Sequence, residues 1–180
     1  MDTVYPPSED SFLMLEALRD IDVEKKKVLD MGTGSGILAI YLAKKGAQVT
    51  ATDINKTAIE VAKNNAKKAN VNVSFIYSDL FENISNKFDI IVFNPPYVPT
   101  EENEAKDMQS VAWDGGKDGL EVIQKFLHQA KSFLNFGGKI ILLVSSRSET
   151  PPHFSNFKSK ILKKKSFFFE RLFVLELLPL

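Results

Sequence analysis

The stretch Val28-Leu29-Asp30-Met31-Gly32-Thr33-Gly34-Ser35-Gly36 constrains this chain more than any other. An apolar strand pattern runs straight into three glycines at alternate positions. An apolar helical pattern then follows through Ile37, Ile40, Tyr41 and Lys44, until Gly46 stops it. Glycine adopts backbone conformations that L side chains resist, and it lets the main chain approach a ligand closely. The run reads D-x-G-x-G-x-G. A dinucleotide fingerprint, G-x-G-x-x-G, fails here because Ile37 stands third after Gly34. A tight strand-to-helix turn would use the same glycines, so the loop alone does not settle the ligand.

The rest of the chain repeats the strand-helix alternation. Ser8-Glu9-Asp10-Ser11 starts a helix whose apolar face is broad, with Phe12 and Leu15 on one side and Leu13, Ala17 and Ile21 on another. Gln48 to Asp53 is a second strand, and Asn55 caps a helix with Ala58, Ala62, Ala66 and Ala69 along one face. Val71, Val73 and Phe75 alternate with polar residues and predict a third strand ending near Asp79. Phe88 to Phe93 is nearly continuous in apolar and β-branched residues, as a strand buried on both faces should be. A polar, acidic loop is expected from Thr100 to about Trp113. Asp118 and Glu121 form a capping box before a helix bearing Val122, Phe126, Ala130 and Phe133. Gly137-Gly138 turns the chain into a strand from Lys139 to Val144, Pro151-Pro152 opens a short helix, and Lys163 to Leu178 reads as two strands joined near Phe169-Glu170. This pattern predicts an α/β fold: a Rossmann-like, mostly parallel sheet with helices on both faces and a closing antiparallel hairpin. No linker is visible, so residues 1–180 read as a single domain, with 1–27 as a helical lead-in.

Composition removes whole classes of function. There is no cysteine among the 180 residues, which excludes disulfides, a cysteine nucleophile and a Cys-based zinc site. Only His128 and His153 are available for a histidine metal site, so no resident metal is expected. Lys+Arg and Asp+Glu are 23 each, so the net charge is zero and the broad positive field of a nonspecific nucleic-acid binder is missing. Met1 to Asp10 carries three acidic residues and no basic one, unlike a signal peptide. No apolar run approaches the roughly 20 residues of a membrane helix. The expectation is a soluble, cytoplasmic protein.

Two aspartates give the glycine loop a ligand. Asp53 ends strand two, where a carboxylate accepts both ribose hydroxyls of an adenosine. Asp79, at the end of strand three, overlooks the same crevice and is placed to accept from an exocyclic adenine amine. A solvated loop aspartate is the plain alternative for each. Taken with Gly32 and Gly34, the set points to S-adenosylmethionine.

Asn94-Pro95-Pro96-Tyr97 closes the buried fourth strand. The prolines remove backbone donors and stiffen the turn. The Asn94 side-chain oxygen and a neighbouring backbone carbonyl make two converging acceptors, which match the two donors of a planar NH2 group. Tyr97 offers a face for that group to stack on. A merely rigid turn is the competing reading.

In this order, the loop, Asp53, Asp79 and Asn94 to Tyr97 resemble class I S-adenosylmethionine-dependent methyltransferases that modify planar amino nitrogens. Two further segments resemble the archaeal and eukaryotic branch of the HemK/PrmC type. Tyr5-Pro6-Pro7-Ser8-Glu9-Asp10-Ser11-Phe12-Leu13 is similar to its opening Y-E-P-A-E-D-S/T-F-L, with Pro6 where that branch usually carries Glu. Ala112-Trp113-Asp114-Gly115-Gly116-Lys117-Asp118-Gly119 is similar to its A-W-x-G-G-x-x-G. The resemblance implies a seven-stranded sheet. It also implies N5-methylation of the glutamine amide in the Gly-Gly-Gln motif of a class I release factor, with Asn94 to Tyr97 holding that amide. Ser11, Asp30, Gly32, Asp53, Asp79, Leu80 and Asn94 would line the cofactor, and a small zinc-binding activator subunit would be a partner.

Rival readings remain on the sequence. A nucleic-acid amino methyltransferase acting on adenine N6 or guanine N2 shares the tetrapeptide, but this chain shows no region for holding a strand. A catalytically silent subunit would not need the whole tetrapeptide. Lys158, Lys160, Lys163, Lys164 and Lys165 form a basic cluster, read as a solvated face or as a contact for RNA or an acidic partner. Phe167-Phe168-Phe169 reads as core and hairpin tip or as a partner surface.

Overall fold

The structure, a computed structural model, describes residues 4, 6–96, 121–146, 154–168 and 170–180. Among them seven strands form one sheet. β1 (Lys27–Met31), β2 (Gln48–Asp53), β3 (Ser74–Tyr77), β4 (Phe88–Phe93) and β5 (Leu134–Ser145) run parallel to one another. β7 (Arg171–Pro179) lies antiparallel between β5 and the edge strand β6 (Phe157–Ser166), giving the order β3-β2-β1-β4-β5-β7-β6. The order reverses between β1 and β4. In open α/β sheets that crevice, at the carboxyl ends of the strands, is where ligands bind.

Helices cover both faces because the central strands are apolar on both. On one face α1 (Glu9–Arg19) and α2 (Ile37–Lys44) pack Leu13, Met14, Leu18, Leu38 and Leu42 against Val28, Ile90, Val92, Ile141 and Val174. On the other, α4 (Glu121–Ala130) packs Ile123, Phe126 and Leu127 against Leu29, Ile91, Phe93, Ile140 and Leu142. Phe126 anchors this second layer, with its ring centroid 4.6 Å from Phe93 and 5.6 Å from Phe81. α3 (Lys56–Lys68) begins at Asn55, whose Oδ1 accepts from the Thr57 and Ala58 amides as the capping pattern predicts. Among the described residues no helix is long and apolar enough to cross a membrane.

Five local expectations need correction. The third strand is only Ser74–Tyr77, because Asn70 takes φ 54° to close α3 and the Val71 amide returns to the Ala66 carbonyl. Val71 and Val73 alternate by sequence but belong to that helix end and its exit.

β5 starts at Leu134 and not after the glycine pair. Gly137-Gly138 forms an irregularity between the Phe88–Leu134 and Ile90–Lys139 pairings. A Cβ on Gly138 would sit 2.9 Å from the Asn135 carbonyl and 3.1 Å from the Phe88 and Asp89 carbonyls, so Gly138 allows close strand approach where a turn was expected, while Gly137 takes φ 74°.

The final hairpin begins at Phe157, not Lys163. Lysines at 158 and 160 hid its alternation, and a bulge at Leu162 shifts the phase between Ile161 and Lys163. Pro151-Pro152 lie outside the described residues.

Lastly, α1 buries Leu13, Met14, Ala17 and Leu18, whereas Phe12 is half exposed. The hairpin tip is likewise no core: Phe168 is 92% exposed, and Phe169 is outside the described residues.

Candidate functional site

The carboxyl ends of the parallel strands bring the sequence-marked residues to one edge. The loop after β1 is built by the glycines themselves: Gly32, Gly34 and Gly36 have φ of 65°, 53° and 84°. Its backbone is tied down on every side. The Thr33 amide donates to the Thr52 carbonyl at 2.8 Å, the Gly34 amide to Asp53 Oδ2 at 2.9 Å, and Asn65 Nδ2 to the Ser35 carbonyl at 2.9 Å. Gly36 packs on α3, since a Cβ there would lie 3.0 Å from the Ala62 Cβ. At Gly34 a Cβ would meet nothing within 4 Å. The loop therefore has a wall at Gly36 and an open cradle at Gly34.

Asp30 is buried under this loop at the start of α2. Its Oδ2 accepts from Thr33 Oγ1 at 2.7 Å and from the Ala39 amide at 3.1 Å, while its buried Oδ1 has no hydrogen-bond partner. Burial pushes the carboxyl from 3.8 up to about 7, against the lowering by Thr33 and Ala39, and the Asp53 charge adds to the rise. The consequence for stability has a definite sign. In the unfolded chain this carboxyl ionises near 3.8; in the folded chain it holds its proton to about 7. Between those values the folded state binds more protons, so stability falls as pH rises through the window and levels off above it. Asp30→Asn should flatten this fall, which amounts to on the order of a few kcal/mol. Melting temperatures from pH 4 to 8 would check it, and equal slopes in the two proteins would refute it.

Asp53 ends β2 with its carboxylate facing the loop. Gly34 donates to one oxygen, and the Asn55 amide donates to the other at 2.8 Å, leaving acceptor capacity on both. Burial raises its pKa, partly offset by the bonds from Asn55 and Gly34. Beyond β3, Asp79 is exposed and Leu80 is half-buried in a left-handed conformation, φ 44°. Sequence reasoning missed the residue that holds this segment. Ser78 is buried, its amide donates to the Asp53 carbonyl, its hydroxyl donates to the Leu80 carbonyl at 2.8 Å, and it accepts from the Asn83 amide at 3.1 Å. A serine between a strand end and an aspartate was the available signal.

At the end of β4, Asn94 Nδ2 donates to Asp10 Oδ2 at 3.1 Å, and Asn94 Oδ1 is buried with no partner. Pro95 is buried behind it and Pro96 is half-buried. Tyr97, the 100–113 loop, Asp118 and the Ala112–Gly119 segment lie outside the described residues. Ser11 is buried at the start of α1, and its amide and hydroxyl both turn to Asp10 Oδ1. Asp30 Oδ1 and Asn94 Oδ1 are thus the two buried side-chain oxygens without a partner among the described residues, and both belong to this edge. They are acceptors matched to a ligand that brings N–H groups. Among the described residues no group of three or more His, Cys, Asp or Glu could hold a metal ion. An open groove lined by Lys63, Lys67, Asn70, Val73 and Phe75 lies at the amino end of β3, away from this edge.

The basic cluster has a structural use. Lys165 pairs with Glu9 and Lys163 stands 3.7 Å from Asp20, so both lysines meet the acidic ends of α1. His128 is exposed on α4 and meets none of the residues above. His153 is outside the described residues.

A Methanocaldococcus jannaschii protein with the provisional name protein N5-glutamine methyltransferase MJ0928 is 50% identical over 145 residues, 79% of this chain and 73% of that protein. Mouse Methyltransferase HEMK2 is 33% identical over 89% of this chain and 80% of its own length. The release factor glutamine methyltransferase of Deinococcus radiodurans is 36% identical over 81% of this chain, which spans about half (55%) of that longer protein. Among solved structures, E. cuniculi Mtq2 from the Mtq2-Trm112 complex that methylates the eRF1 translation termination factor superposes with a TM-score of 0.74, at 28% identity over 98% of both chains. The Thermus thermophilus 16S rRNA N2 G1207 methyltransferase, in complex with AdoMet and guanosine, also gives 0.74 at 26% identity, over 96% of this chain and 43% of its own. The family model for the methyltransferase small domain matches residues 9–167, from the first turn of α1 to the end of β6, and the chain belongs to that family.

Proposed function

We propose that this chain is an S-adenosylmethionine-dependent methyltransferase acting on the glutamine side-chain amide in the Gly-Gly-Gln motif of a class I translation release factor. The observation that carries the reading is Asn94. Its Oδ1 is buried without a partner at the carboxyl end of β4, while Asp10 holds the other end of the same amide. An acceptor in that state suits a planar NH2 donor. The names of the Methanocaldococcus, Deinococcus and E. cuniculi relatives support a glutamine acceptor.

The donor set fits the cofactor. Asp53 retains acceptor capacity for two ribose hydroxyls, and Asp79 is an exposed carboxylate suited to an adenine amine. Asp30 Oδ1 has no donor among the described residues and suits an ammonium, whose charge would draw Asp30 to its ionised form. The open side of Gly34 lets a ligand lie against the backbone, and Gly32, Ser11 and Leu80 complete the same edge. When bound, S-adenosylmethionine supplies a sulfonium methyl: its C–S bond breaks as the N–C bond forms, and the electron pair stays on sulfur.

The chain's own residues make the poor nucleophile usable. An amide nitrogen has a delocalised lone pair. Asn94 Oδ1 and a backbone carbonyl of the same turn hold its two N–H bonds and favour a more tetrahedral nitrogen. Fixed dipoles then face the positive charge that develops there. Pro95 and Pro96 keep the turn rigid, and Tyr97, the next residue in the sequence, is proposed as the aromatic face for the amide plane. The nitrogen loses its proton to solvent after attack, so no strong base is required.

The basic cluster does not favour a nucleic-acid acceptor, because Lys163 and Lys165 face acidic groups of α1. A small zinc-binding activator is proposed as partner, in line with the resemblance and with Mtq2, which was solved with Trm112.

The test is transfer from labelled S-adenosylmethionine, with and without such an activator. The acceptors are a class I release factor, its Gly-Gly-Gln glutamine→Ala variant, and total tRNA and DNA. Label is expected on the native factor and not on the variant. Label on nucleic acid alone, or on both factors equally, would overturn the reading.

A further inference from the structure

The least expected contact of the site joins residues 84 positions apart. Asp10 is only 4% exposed, in the first turn of α1. Its Oδ1 accepts from the Ser11 amide at 2.6 Å and the Ser11 hydroxyl at 3.2 Å, and its Oδ2 accepts from Asn94 Nδ2 at 3.1 Å. The neighbouring Ser8 makes no side-chain cap, so the Asp10 carboxylate itself takes up an otherwise orphaned amide of the helix start.

An asparagine amide has two ends of nearly equal size and opposite function, one donating and one accepting. Nothing in the Asn94-Pro95-Pro96 turn itself distinguishes them. A carboxylate does, because it only accepts. Turning Asn94 over would set two acceptor oxygens against each other inside a buried site. Asp10 therefore commits the NH2 end to itself and leaves Oδ1, the end without a partner among the described residues, for the incoming amide. The negative charge behind the amide also polarises it, placing more electron density on Oδ1, which faces the nitrogen where positive charge develops during attack.

The carboxylate is itself held in place. Leu13, Met14, Ala17 and Leu18 seat α1 on the sheet, and Lys45 Nζ donates to the Leu18, Arg19 and Ile21 carbonyls at the far end of the helix. Glu9 and Asp20 face Lys165 and Lys163 of the edge strand.

We infer that Asp10 is a positioning residue of methyl transfer, fixing the Asn94 amide in the orientation that presents Oδ1 to the acceptor nitrogen. The inference rests on the proposed acceptor role of Asn94. A cofactor-binding role for α1 would not require this contact.

The experiment compares Asp10→Asn, Asn94→Asp and the exchanged pair carrying both changes, using the release factor and any activator that the wild type needs. Asp10→Asn is nearly isosteric but lets Asn94 take either orientation. Its kcat should fall roughly 10- to 100-fold, with KM for the factor, cofactor affinity and melting temperature close to wild type. Asn94→Asp alone opposes two carboxylates and should be the poorest of the three. The exchanged pair restores one donor facing one carboxylate, with a free oxygen toward the substrate, so its kcat should recover at least tenfold over Asn94→Asp. An unchanged kcat in Asp10→Asn, a loss that follows melting temperature alone, or no recovery in the exchanged pair would each overturn the inference. A wild type that transfers no methyl to the factor would instead overturn the proposed function.

Discussion

Asn94→Ala is expected to slow methyl transfer by about 10²–10³-fold, the effect of deleting one fixed polar group aimed at developing charge. Two losses combine in it. The oxygen proposed to hold the substrate amide disappears, and Asp10 loses the Nδ2 donor. The prolines remain, so the turn keeps its course. Cofactor affinity should change only a few-fold, because Asp30, Asp53 and the glycine loop lie on neighbouring strands and keep their own bonds. Single-turnover rates read beside cofactor titration would separate the two. Turnover at the wild-type level, or a loss confined to cofactor binding, would remove Asn94 from the acceptor site.

Gly36→Ala should destabilise the fold by roughly 2–4 kcal/mol, from left-handed backbone strain together with overpacking. The residue has φ 84°, and its new methyl would stand 3.0 Å from the Ala62 Cβ and 3.2 Å from the Ala62 Cα. Neither is the far end of a flexible side chain, so α2 and α3 would have to part. Gly34→Ala is the control. It has φ 53° and meets nothing within 4 Å, so it carries backbone strain alone, about 1–2 kcal/mol. Its methyl would instead occupy the cradle and weaken cofactor binding. Urea unfolding of both variants, with cofactor titration of Gly34→Ala, would check the contrast. A Gly36→Ala protein as stable as wild type would show that the loop does not depend on that contact.

The two substitutions mark where local reading worked. Three alternate glycines after an apolar strand are legible because positive φ is a property of the residue. The Asn55 cap, the Phe88–Phe93 strand and the end of that strand at Asn94 are legible for the same reason: each is decided within a few residues. The failures were also physical. Val71 and Val73 alternate like a strand, but the helix before them ends through Asn70 and claims the first amide. Gly137-Gly138 resembles a turn but lies inside β5, where Gly137 takes a left-handed φ and β4 passes too close to Gly138 for a side chain. The lysines of β6 masked an edge strand, since outward charge keeps such an edge from pairing with another chain.

What the sequence by itself determined is the set of parts: strand-helix alternation, a glycine loop, carboxylates at strand ends and a proline turn after the fourth strand, all written in neighbouring residues. Only the tertiary structure decided the strand order that collects those ends at one crevice, the seat of Ser78 beneath Leu80, and the contact between Asp10 and Asn94. That contact has no local signature, because each residue is ordinary in its own segment. Its meaning arises when α1 is laid across the sheet by the apolar burial of Leu13, Met14, Ala17 and Leu18 and a carboxylate comes to face one end of an amide.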